Sequence, residues 1–355
     1  MVDLAEILRR HWPAYLKKFG GRILPSHRRA VAAMLRCRTP ALGGQLYRCA
    51  RCGKPHGAYH SCNHRACPKC GHHEATAWIA KQKTLLLPVP YFLLTFTVPA
   101  TLRPFIRAQQ KFFYPLLFAQ SAAALADIAA DPKRWGVALG FLGVLQTWTR
   151  DLRYHPHIHY LVPGGGLTHD QLRWLRVPNP QFFLPQPVLA ARFGNRLKAA
   201  LQQKDPKLFL SIPPKTWSQK WVVDVLAVGR GEPVLKYLSA YIYKTAITAQ
   251  RLLGCDDTSV TFRYREGSSG QEKLCPLSGE AFLHRFLQHI LPCGFQRVRY
   301  FGWLAPAATK RRARILALLD WKAPPFIAPA ALPPPHCPHC QIPMKRIGTL
   351  PRAPP

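Results

Sequence analysis

The chain has 355 residues, of which 48% are hydrophobic, so it is long and apolar enough for more than one folded domain. Its 50 lysines and arginines face only 16 aspartates and glutamates, which gives a formal net charge of +34. This charge opposes compaction by self-repulsion, so a polyanionic partner is expected, with nucleic acid ahead of an anionic membrane. The sequence shows neither a run of 18 apolar residues nor a signal-peptide pattern, which predicts a cytoplasmic protein without a membrane span.

Taken in chain order, hydrophobic periodicity and turn residues predict a mixture of helices and strands. The helices are expected at residues 3–18, 74–87, 105–127, 234–248 and 279–289. The strands are expected at residues 91–98, 136–148, 157–162, 208–212, 221–228, 260–265 and 296–301. This order predicts an α+β fold, and the 35 prolines argue against a mainly helical bundle.

Changes in composition divide the chain into three parts. Residues 1–88 are predicted to form a helix followed by a small zinc-ribbon-like module, because residues 37–73 hold six cysteines and few aliphatic side chains. Residues 89–305 carry most of the strand pattern and are predicted to form the central α+β domain. Residues 306–355 are first basic and then rich in proline, which predicts a loosely ordered tail.

Two cysteine pairs with two-residue gaps, Cys49/Cys52 and Cys67/Cys70, predict one four-cysteine zinc site. Each gap lets both sulfurs of a pair face one ion, with zinc–sulfur distances of ~2.3 Å. A segment so poor in aliphatic residues needs the metal in order to fold. Cys62 is a possible extra or exchanged ligand, so a second zinc ion remains open, as does the interpretation that these are buried thiols without metal.

Three histidines lie in or beside the strand that is predicted to end before a run of glycines. Alternate residues of a strand project to one face, so His157 and His159 are expected to point together. His155 is an additional candidate ligand, although Pro156 interrupts the regular alternation before the pair. Two neutral imidazoles can chelate a divalent ion and leave positions open for phosphate oxygens, while a purely structural role is the alternative.

Tyr237 and Tyr241 are four residues apart in a predicted helix, so their hydroxyl groups are expected on one face. A tyrosine can attack phosphorus and store the energy of a broken phosphodiester as phosphotyrosine. Its pKa of about 10 makes it a weak nucleophile unless a cation polarises the phosphate. Lys236 and Lys244 are candidates to contact the DNA from the same helix, and surface packing of two amphipathic tyrosines is the alternative.

The combination of these motifs resembles a known family. His157 and His159, separated by one isoleucine, resemble the histidine motif of HUH single-strand nucleases, and Tyr237 with Tyr241 resembles the two-tyrosine signature that accompanies it. The whole layout resembles the two-tyrosine rolling-circle transposases of the insertion-sequence-ninety-one family, including their N-terminal zinc module. Further similar segments lie at residues 91–99, 152–159, 164–166, 281–292 and 294–302.

The resemblance implies an antiparallel-sheet HUH nuclease domain with helices on the sheet and Mg²⁺ or Mn²⁺ at the histidine pair. It implies a DNA transposase that nicks and rejoins single-stranded DNA at element ends. Each tyrosine would cut one strand, leaving a 3′-OH and a 5′-phosphotyrosine intermediate, during rolling-circle transposition in the bacterial nucleoid. Gln146 is the candidate for a third metal ligand, and Arg297 and Arg299 are candidate DNA contacts. The candidates for base stacking are Trp148, Trp217 and Trp221.

Two features depart from the family pattern. Leu93 and Gln146 stand where histidines are expected in relatives, and Cys337 with Cys340 resembles half of a zinc knuckle whose partner pair is missing. Three other functions therefore remain open. They are a rolling-circle replication initiator or relaxase with the same chemistry, a non-catalytic zinc-dependent DNA-binding protein, and an inactive transposon remnant.

Overall fold

A computed structural model describes residues 2–70, 72–231, 233–235, 245–267 and 269–353, without the side chains of residues 72 and 73. The predicted tyrosine helix falls mainly outside this part of the chain. The candidate site residues that lie outside the described residues are Lys236, Tyr237, Tyr241 and Lys244.

The described chain is a mixture of helices and antiparallel strands, which confirms the α+β prediction. The helices are α1 (Leu4–Phe19), α2 (Pro25–Arg36), α3 (His72–Lys83), α4 (Arg103–Ala108), α5 (Gln110–Ala130), α6 (Gln186–Lys204), α7 (Pro206–Ser211), α8 (Gly279–Leu287) and α9 (Thr309–Leu318). The strands are β1 (Gly44–Arg48), β2 (Pro55–Tyr59), β3 (Tyr91–Thr97), β4 (Val137–Ala138), β5 (Gly140–Trp148), β6 (Tyr154–Pro163), β7 (Gly165–Thr168), β8 (Trp174–Arg176), β9 (Val222–Gly229), β10 (Leu252–Cys255), β11 (Ser259–Arg265), β12 (Glu272–Ser278), β13 (Val298–Gly302) and β14 (Lys345–Leu350).

A five-stranded antiparallel sheet in the order β13-β5-β6-β3-β9 forms the centre of the protein. Strand β6 lies in the middle of this sheet and is buried along most of its length. Its alternate residues Ile158, Tyr160 and Val162 belong to the core that α5 and α6 cover on one face. The histidines therefore project from the opposite face, because side chains alternate along a strand.

Helix α5 is the main helix of this core. Among the described helices it alone is long and apolar enough to cross a membrane by length and composition, yet 61% of that apolar window is buried inside the protein. The hydroxyl groups of Ser121 on α5 and Tyr160 on β6 lie 2.7 Å apart and satisfy each other within the apolar interface. The apolar character of α5 is thus explained by packing against the sheet.

The predicted strand at residues 208–212 is wrong, because most of it belongs to helix α7. Asp205 caps this helix by accepting a hydrogen bond of 2.9 Å from the backbone N–H of Leu208. Pro206 follows at the first helical position, where its missing N–H is not needed. Asp205 and Pro206 thus favour a short helix at a segment whose apolar residues alone resembled a strand.

The prediction that residues 306–355 form a loosely ordered tail holds for residues 322–335, which have no helix or strand, but is wrong for the parts on either side. Those parts contain helix α9 and strand β14, and β14 pairs with β1 in a three-stranded sheet of the order β14-β1-β2. The pairing joins Gly44 to Leu350 and Arg48 to Lys345, so the end of the described chain completes the N-terminal module. Because the two strands are about 300 residues apart in sequence, no local sequence pattern could have predicted that β14 pairs with β1.

The cysteines form two clusters instead of the single predicted site made of Cys49, Cys52, Cys67 and Cys70. The N-terminal cysteine cluster contains Cys37, Cys62, Cys67 and Cys70, and the shared cysteine cluster contains Cys49, Cys52, Cys337 and Cys340. The two predicted pairs are separated because the β1–β2 hairpin carries Cys49 and Cys52 at its tip, whereas Cys67 and Cys70 follow its open end. The five residues of β1 extend about 16 Å, which is too far for one zinc ion to bridge.

The N-terminal cysteine cluster has dimensions that suit a tetrahedral zinc site. The Sγ atom of Cys70 lies 3.6 Å from that of Cys37 and 3.7 Å from that of Cys62, and the sulfurs of Cys37 and Cys67 are 3.7 Å apart. Four sulfurs bound to zinc at ~2.3 Å are about 3.8 Å apart. The cluster packs with α1, α2 and α8 in one apolar core, so it joins the N-terminal module to the rest of the protein.

Gly302 should be intolerant of any side chain. Its φ of +57° is unfavourable for other residues, and a Cβ atom would overlap the carbonyl oxygen of Leu139. We expect Gly302→Ala to lower the free energy of unfolding by about 2 kcal/mol or more, measured by urea denaturation. The matched control is Gly254→Ala, because a Cβ there meets only Thr261 at 4.0 Å. Equal stability of both variants would contradict the described backbone at Gly302.

His289 should make the stability depend on pH. Burial lowers its pKa from the ordinary 6.5 to about 4, while its ring bonds the hydroxyl of Thr147 at 3.2 Å and the carbonyl of Leu152 at 3.0 Å. The unfolded chain then binds the proton more tightly, so this contribution is present above pH 6.5 and is lost as the pH falls toward 4.

We therefore expect the free energy of unfolding to fall between pH 7 and pH 5 by about 2 kcal/mol more in the wild type than in His289→Gln. Urea denaturation at both pH values measures this difference. Contributions shared by the two proteins cancel in the comparison. Parallel pH profiles would show that His289 does not carry this effect.

Candidate active site

A cleft of about 610 Å³ lies on the face of the central sheet opposite the α5 core. Its floor comes from β3, β5 and β6, and its wall comes from the turn before β6 and from the end of β11. The lining includes His155, His157, His159, Thr95, Thr97, Gln146, Arg150, Arg153, Arg251 and Arg265. The predicted histidine strand is thus β6, and all three histidines reach one cleft.

The sheet register places polar residues beside the histidines. His159 is paired with Thr95 on β3, and His157 is paired with Thr97 on β3 and with Gln146 on β5. The ring centroids of His157 and His159 are 4.7 Å apart, with the two planes nearly perpendicular at 83°. The expected convergence of the two imidazoles is therefore found in the fold.

His157 is oriented by the backbone of its own strand. Its Nδ1 lies 2.6 Å from the carbonyl oxygen of His155. A carbonyl oxygen only accepts, so Nδ1 carries the proton and Nε2 keeps its lone pair. The ring centroid of His155 lies 5.1 Å from that of His157, so His155 stays a candidate ligand beside the pair.

His159 has a polar partner at each ring nitrogen. Its Nδ1 lies 3.0 Å from the hydroxyl of Thr95, and its Nε2 lies 3.1 Å from Oε1 of Gln146. The amide oxygen of Gln146 only accepts, so Nε2 carries the proton of this hydrogen bond and Nδ1 accepts from the hydroxyl of Thr95. If the proton moves to Nδ1, where the oxygen of Thr95 can accept it, Nε2 and Oε1 are free to act as neighbouring ligands of one cation. The geometry thus makes Gln146 a better candidate than the sequence alone did.

The histidines are neutral at physiological pH. Burial is the largest cause, and it lowers the pKa of His155 and of His157 to about 4 and that of His159 well below its usual 6.5. Their proximity to one another and to arginines acts in the same direction. Neutral imidazoles hold the lone pairs that a metal ion needs, so the site is prepared for a cation without losing protons first.

Four arginines that the sequence analysis missed line the cleft. Arg150, Arg153 and Arg265 are exposed, and Arg251 is half-buried. Two carboxylates also line the cleft: Asp151 is paired with Arg153 at 2.6 Å, and Glu266 is paired with Lys273 at 2.6 Å. The excess of positive charge suits the backbone of a nucleic acid. Arg150 and Arg153 could have been predicted, because they are close in sequence to the histidine strand. Arg251 and Arg265 come from a distant segment, so nothing in the sequence indicated that they would line the cleft.

The predicted DNA contacts Arg297 and Arg299 both stack on aromatic rings. Arg297 lies 4.9 Å from the ring centroid of Trp148 and donates from Nε to the carbonyl of Leu145 at 3.1 Å. Arg299 lies 4.6 Å from the ring centroid of Phe118, on the α5 face of the sheet. These contacts hold β13 against its neighbours and give no support to a direct DNA role in the cleft.

The three tryptophans predicted for base stacking are placed differently from one another. Trp148 is only 6% exposed and Arg297 lies over its ring, but it lines the histidine cleft, so its role in base stacking stays a prediction. Trp217 and Trp221 are half-buried and nearly parallel, with ring centroids 6.4 Å apart, and line a separate cavity of about 540 Å³ beside Lys220. These two remain candidates for stacking.

The described residues on either side of the two-tyrosine segment belong to apolar clusters that include neighbours of the histidine cleft. Before it, Val234 belongs to the same apolar cluster as Val144 and Leu161, the neighbours of His159 on the sheet. After it, Ala246 belongs to the cluster of Trp148. Val234 and Ala246 are therefore both buried in clusters that contain residues next to the cleft.

Comparison with known proteins identifies the family. A model described as "Putative transposase" matches residues 140–313, and one described as "Transposase zinc-binding domain" matches residues 7–98. "Putative transposase y4qJ" of Sinorhizobium fredii is 34% identical over 322 residues, covering 85% of this chain and 80% of that protein.

"Transposase for insertion sequence element IS801" of Pseudomonas savastanoi is 31% identical over 295 residues, covering 78% of this chain and 69% of that protein. Comparison with solved structures gave no match. The zinc-binding domain and the cysteine clusters together support structural Zn²⁺. The chain belongs to the insertion-sequence-ninety-one (IS91) family of transposases and carries that family's N-terminal zinc-binding domain.

Proposed function

We propose that this transposase nicks and rejoins single-stranded DNA at the ends of its insertion sequence through a 5′-phosphotyrosine intermediate. The family already implies DNA cleavage and strand transfer. The observation that carries the finer proposal is the pair of buried, neutral imidazoles of His157 and His159 facing an arginine-lined cleft. The antiparallel sheet with histidines on its middle strand agrees with an HUH nuclease domain.

The cleft residues fit a divalent metal ion. Nε2 of His157 and of His159 together with Oε1 of Gln146 would hold it, with the proton that His159 now donates to Oε1 moved to Nδ1 and donated to the hydroxyl of Thr95. When bound, Mg²⁺ or Mn²⁺ supplies Lewis-acid polarisation of the scissile phosphate. Thr95 keeps the ring of His159 in position through its hydroxyl group.

Tyr237 and Tyr241 are the proposed nucleophiles. The phenol oxygen forms a bond to phosphorus, the bond from phosphorus to the 3′ oxygen breaks, and the phenol proton leaves as the 3′ oxygen gains one. Attack by a 3′-OH on the phosphotyrosine reverses these changes and rejoins DNA. Two tyrosines permit two successive transfers, and the buried flanks Val234 and Ala246 support their place at the histidine face.

The positive groups of the cleft have a binding role in this proposal. Arg150, Arg153 and Arg265 hold the phosphates that flank the scissile one, and Lys236 and Lys244 extend this surface. Because its substrate would be the ends of an insertion sequence in bacterial DNA, the protein is expected to act in the cytoplasm, associated with the nucleoid. The zinc-binding domain contributes further DNA contacts rather than chemistry.

Replacing both tyrosines should abolish covalent attachment to DNA. With Mn²⁺ and single-stranded oligonucleotides that carry the element ends, the wild type should give a protein–DNA adduct on a denaturing gel. Tyr237→Phe/Tyr241→Phe should reduce the adduct by about 100-fold or more, because phenylalanine has no nucleophile. Tyr59→Phe is the control, since Tyr59 is an exposed tyrosine on β2. An undiminished adduct in the double variant would refute the proposed nucleophiles.

Removing a histidine should have the same effect through loss of the metal ion. His157→Ala should lower the rate of nicking by about 100-fold or more, and a chelator should do so in the wild type. His169→Ala is the control, because His169 is exposed and lies outside the cleft lining. Wild-type nicking by His157→Ala, or in the presence of the chelator, would contradict a catalytic metal at this site.

A further inference from the structure

The shared cysteine cluster brings together the two ends of the chain. Cys49 and Cys52 lie at the tip of the β1–β2 hairpin, whereas Cys337 and Cys340 precede β14. The match to the transposase zinc-binding domain ends at residue 98, so it includes only the first pair. The ligand atoms of all four residues lie within 4.8 Å of one another, and the Sγ atoms of Cys52 and Cys337 are 3.7 Å apart.

The two halves of this cluster have the same backbone construction. The residue after each second cysteine, Gly53 or Gln341, is left-handed, with φ of +68° and +55°. Its N–H donates to the carbonyl of the first cysteine of the pair, at 3.0 Å to Cys49 and 2.8 Å to Cys337. Such matching turns are expected of two knuckles that present their sulfurs to one ion.

The hydrogen bonds that close the two knuckles also correspond. The N–H of Cys49 donates to the carbonyl of Lys54 at 3.1 Å, and the N–H of Cys337 donates to the carbonyl of Ile342 at 2.9 Å. Gln341 adopts the left-handed conformation although it is not glycine, which is unfavourable unless the surroundings fix it. An ion held by the four sulfurs would provide that constraint.

The sheet β14-β1-β2 has almost no apolar core of its own. The buried residues of its cluster are Cys49, Cys337 and Met344, and two of these three are cysteines. Lys345 and Arg346 at the start of β14 are exposed. Residues 322–335 lead to this sheet without a helix or a strand. Strand pairing alone therefore lacks the apolar burial that usually holds such a small sheet together.

We propose that Cys49, Cys52, Cys337 and Cys340 bind a second structural zinc ion, which clasps β14 to the N-terminal module. The N-terminal cysteine cluster holds the first ion, so the chain carries two. The clasp covers the edge of β1, which would otherwise expose unpaired backbone groups. It also makes the N-terminal zinc module a composite of both ends of the chain, so a truncation before residue 337 removes half of the ligands.

Zinc content and thiol content of the full-length protein test the proposal first. The wild type should contain two zinc ions per chain, and all 11 cysteines should react as free thiols after denaturation with a chelator. Cys340→Ser should retain one zinc ion, while Cys293→Ser, which changes an exposed cysteine outside both clusters, should retain two. One zinc ion in the wild type, or fewer free thiols because of disulfides, would overturn the proposal.

A cleavage experiment tests the clasp without altering any cysteine, so it stays decisive if Cys340→Ser does not fold. A protease recognition sequence replaces part of residues 322–335, and the purified protein is cut there. The C-terminal fragment should co-elute with the remainder in gel filtration and separate after a chelator is added. Separation without chelator would overturn the proposal. Neither experiment involves DNA, so the result is independent of the proposed nicking activity.

Discussion

Burial of the middle strand on both faces is the constraint on which the site depends. Strand β6 has neighbours on both edges, and its alternate side chains enter the α5 core or the cleft. Removing His157 and His159 from water lowers their pKa values, because the charged imidazolium loses more solvation than the neutral ring. The same packing that makes the strand rigid therefore keeps both rings neutral in a protein with a net charge of +34.

Neutral ligands among arginines give the cleft its electrostatic character. The arginines attract a phosphate backbone, and the imidazoles add no further charge that would repel a metal ion. The hydrogen bond from His157 to the carbonyl of His155 and the contacts of His159 with Thr95 and Gln146 fix both rings before any ligand binds. Such preorganisation reduces the reorganisation that binding and reaction would otherwise require.

The parts of the fold that were predictable depend on local periodicity. Alternation over a few residues was enough to place His157 and His159 together, and helical periodicity was enough for α1 and α5. Partners from distant segments were not predictable from spacing. The cysteine pairs were assigned to each other because they are near in sequence, whereas a strand length separates them in space and Cys337 and Cys340 complete one cluster. Arg251 and Arg265 were missed for the same reason.

Arg251 connects the cleft to Ala246, a described residue that follows the two-tyrosine segment. Its guanidinium donates to three backbone carbonyls, those of Arg263 on β11 at 2.9 Å, of Ala246 at 3.2 Å, and of Arg150 before β6. Ala246 lies directly after the segment that holds the tyrosines, and Arg150 lines the histidine cleft. One side chain thus links the return point of that segment to the turn before the histidine strand. An arginine whose donors are engaged by carbonyls acts here as a positioning residue. The exposed Arg150 and Arg153 have only part of their donors engaged, by the carbonyl of Arg265 and by Asp151 respectively.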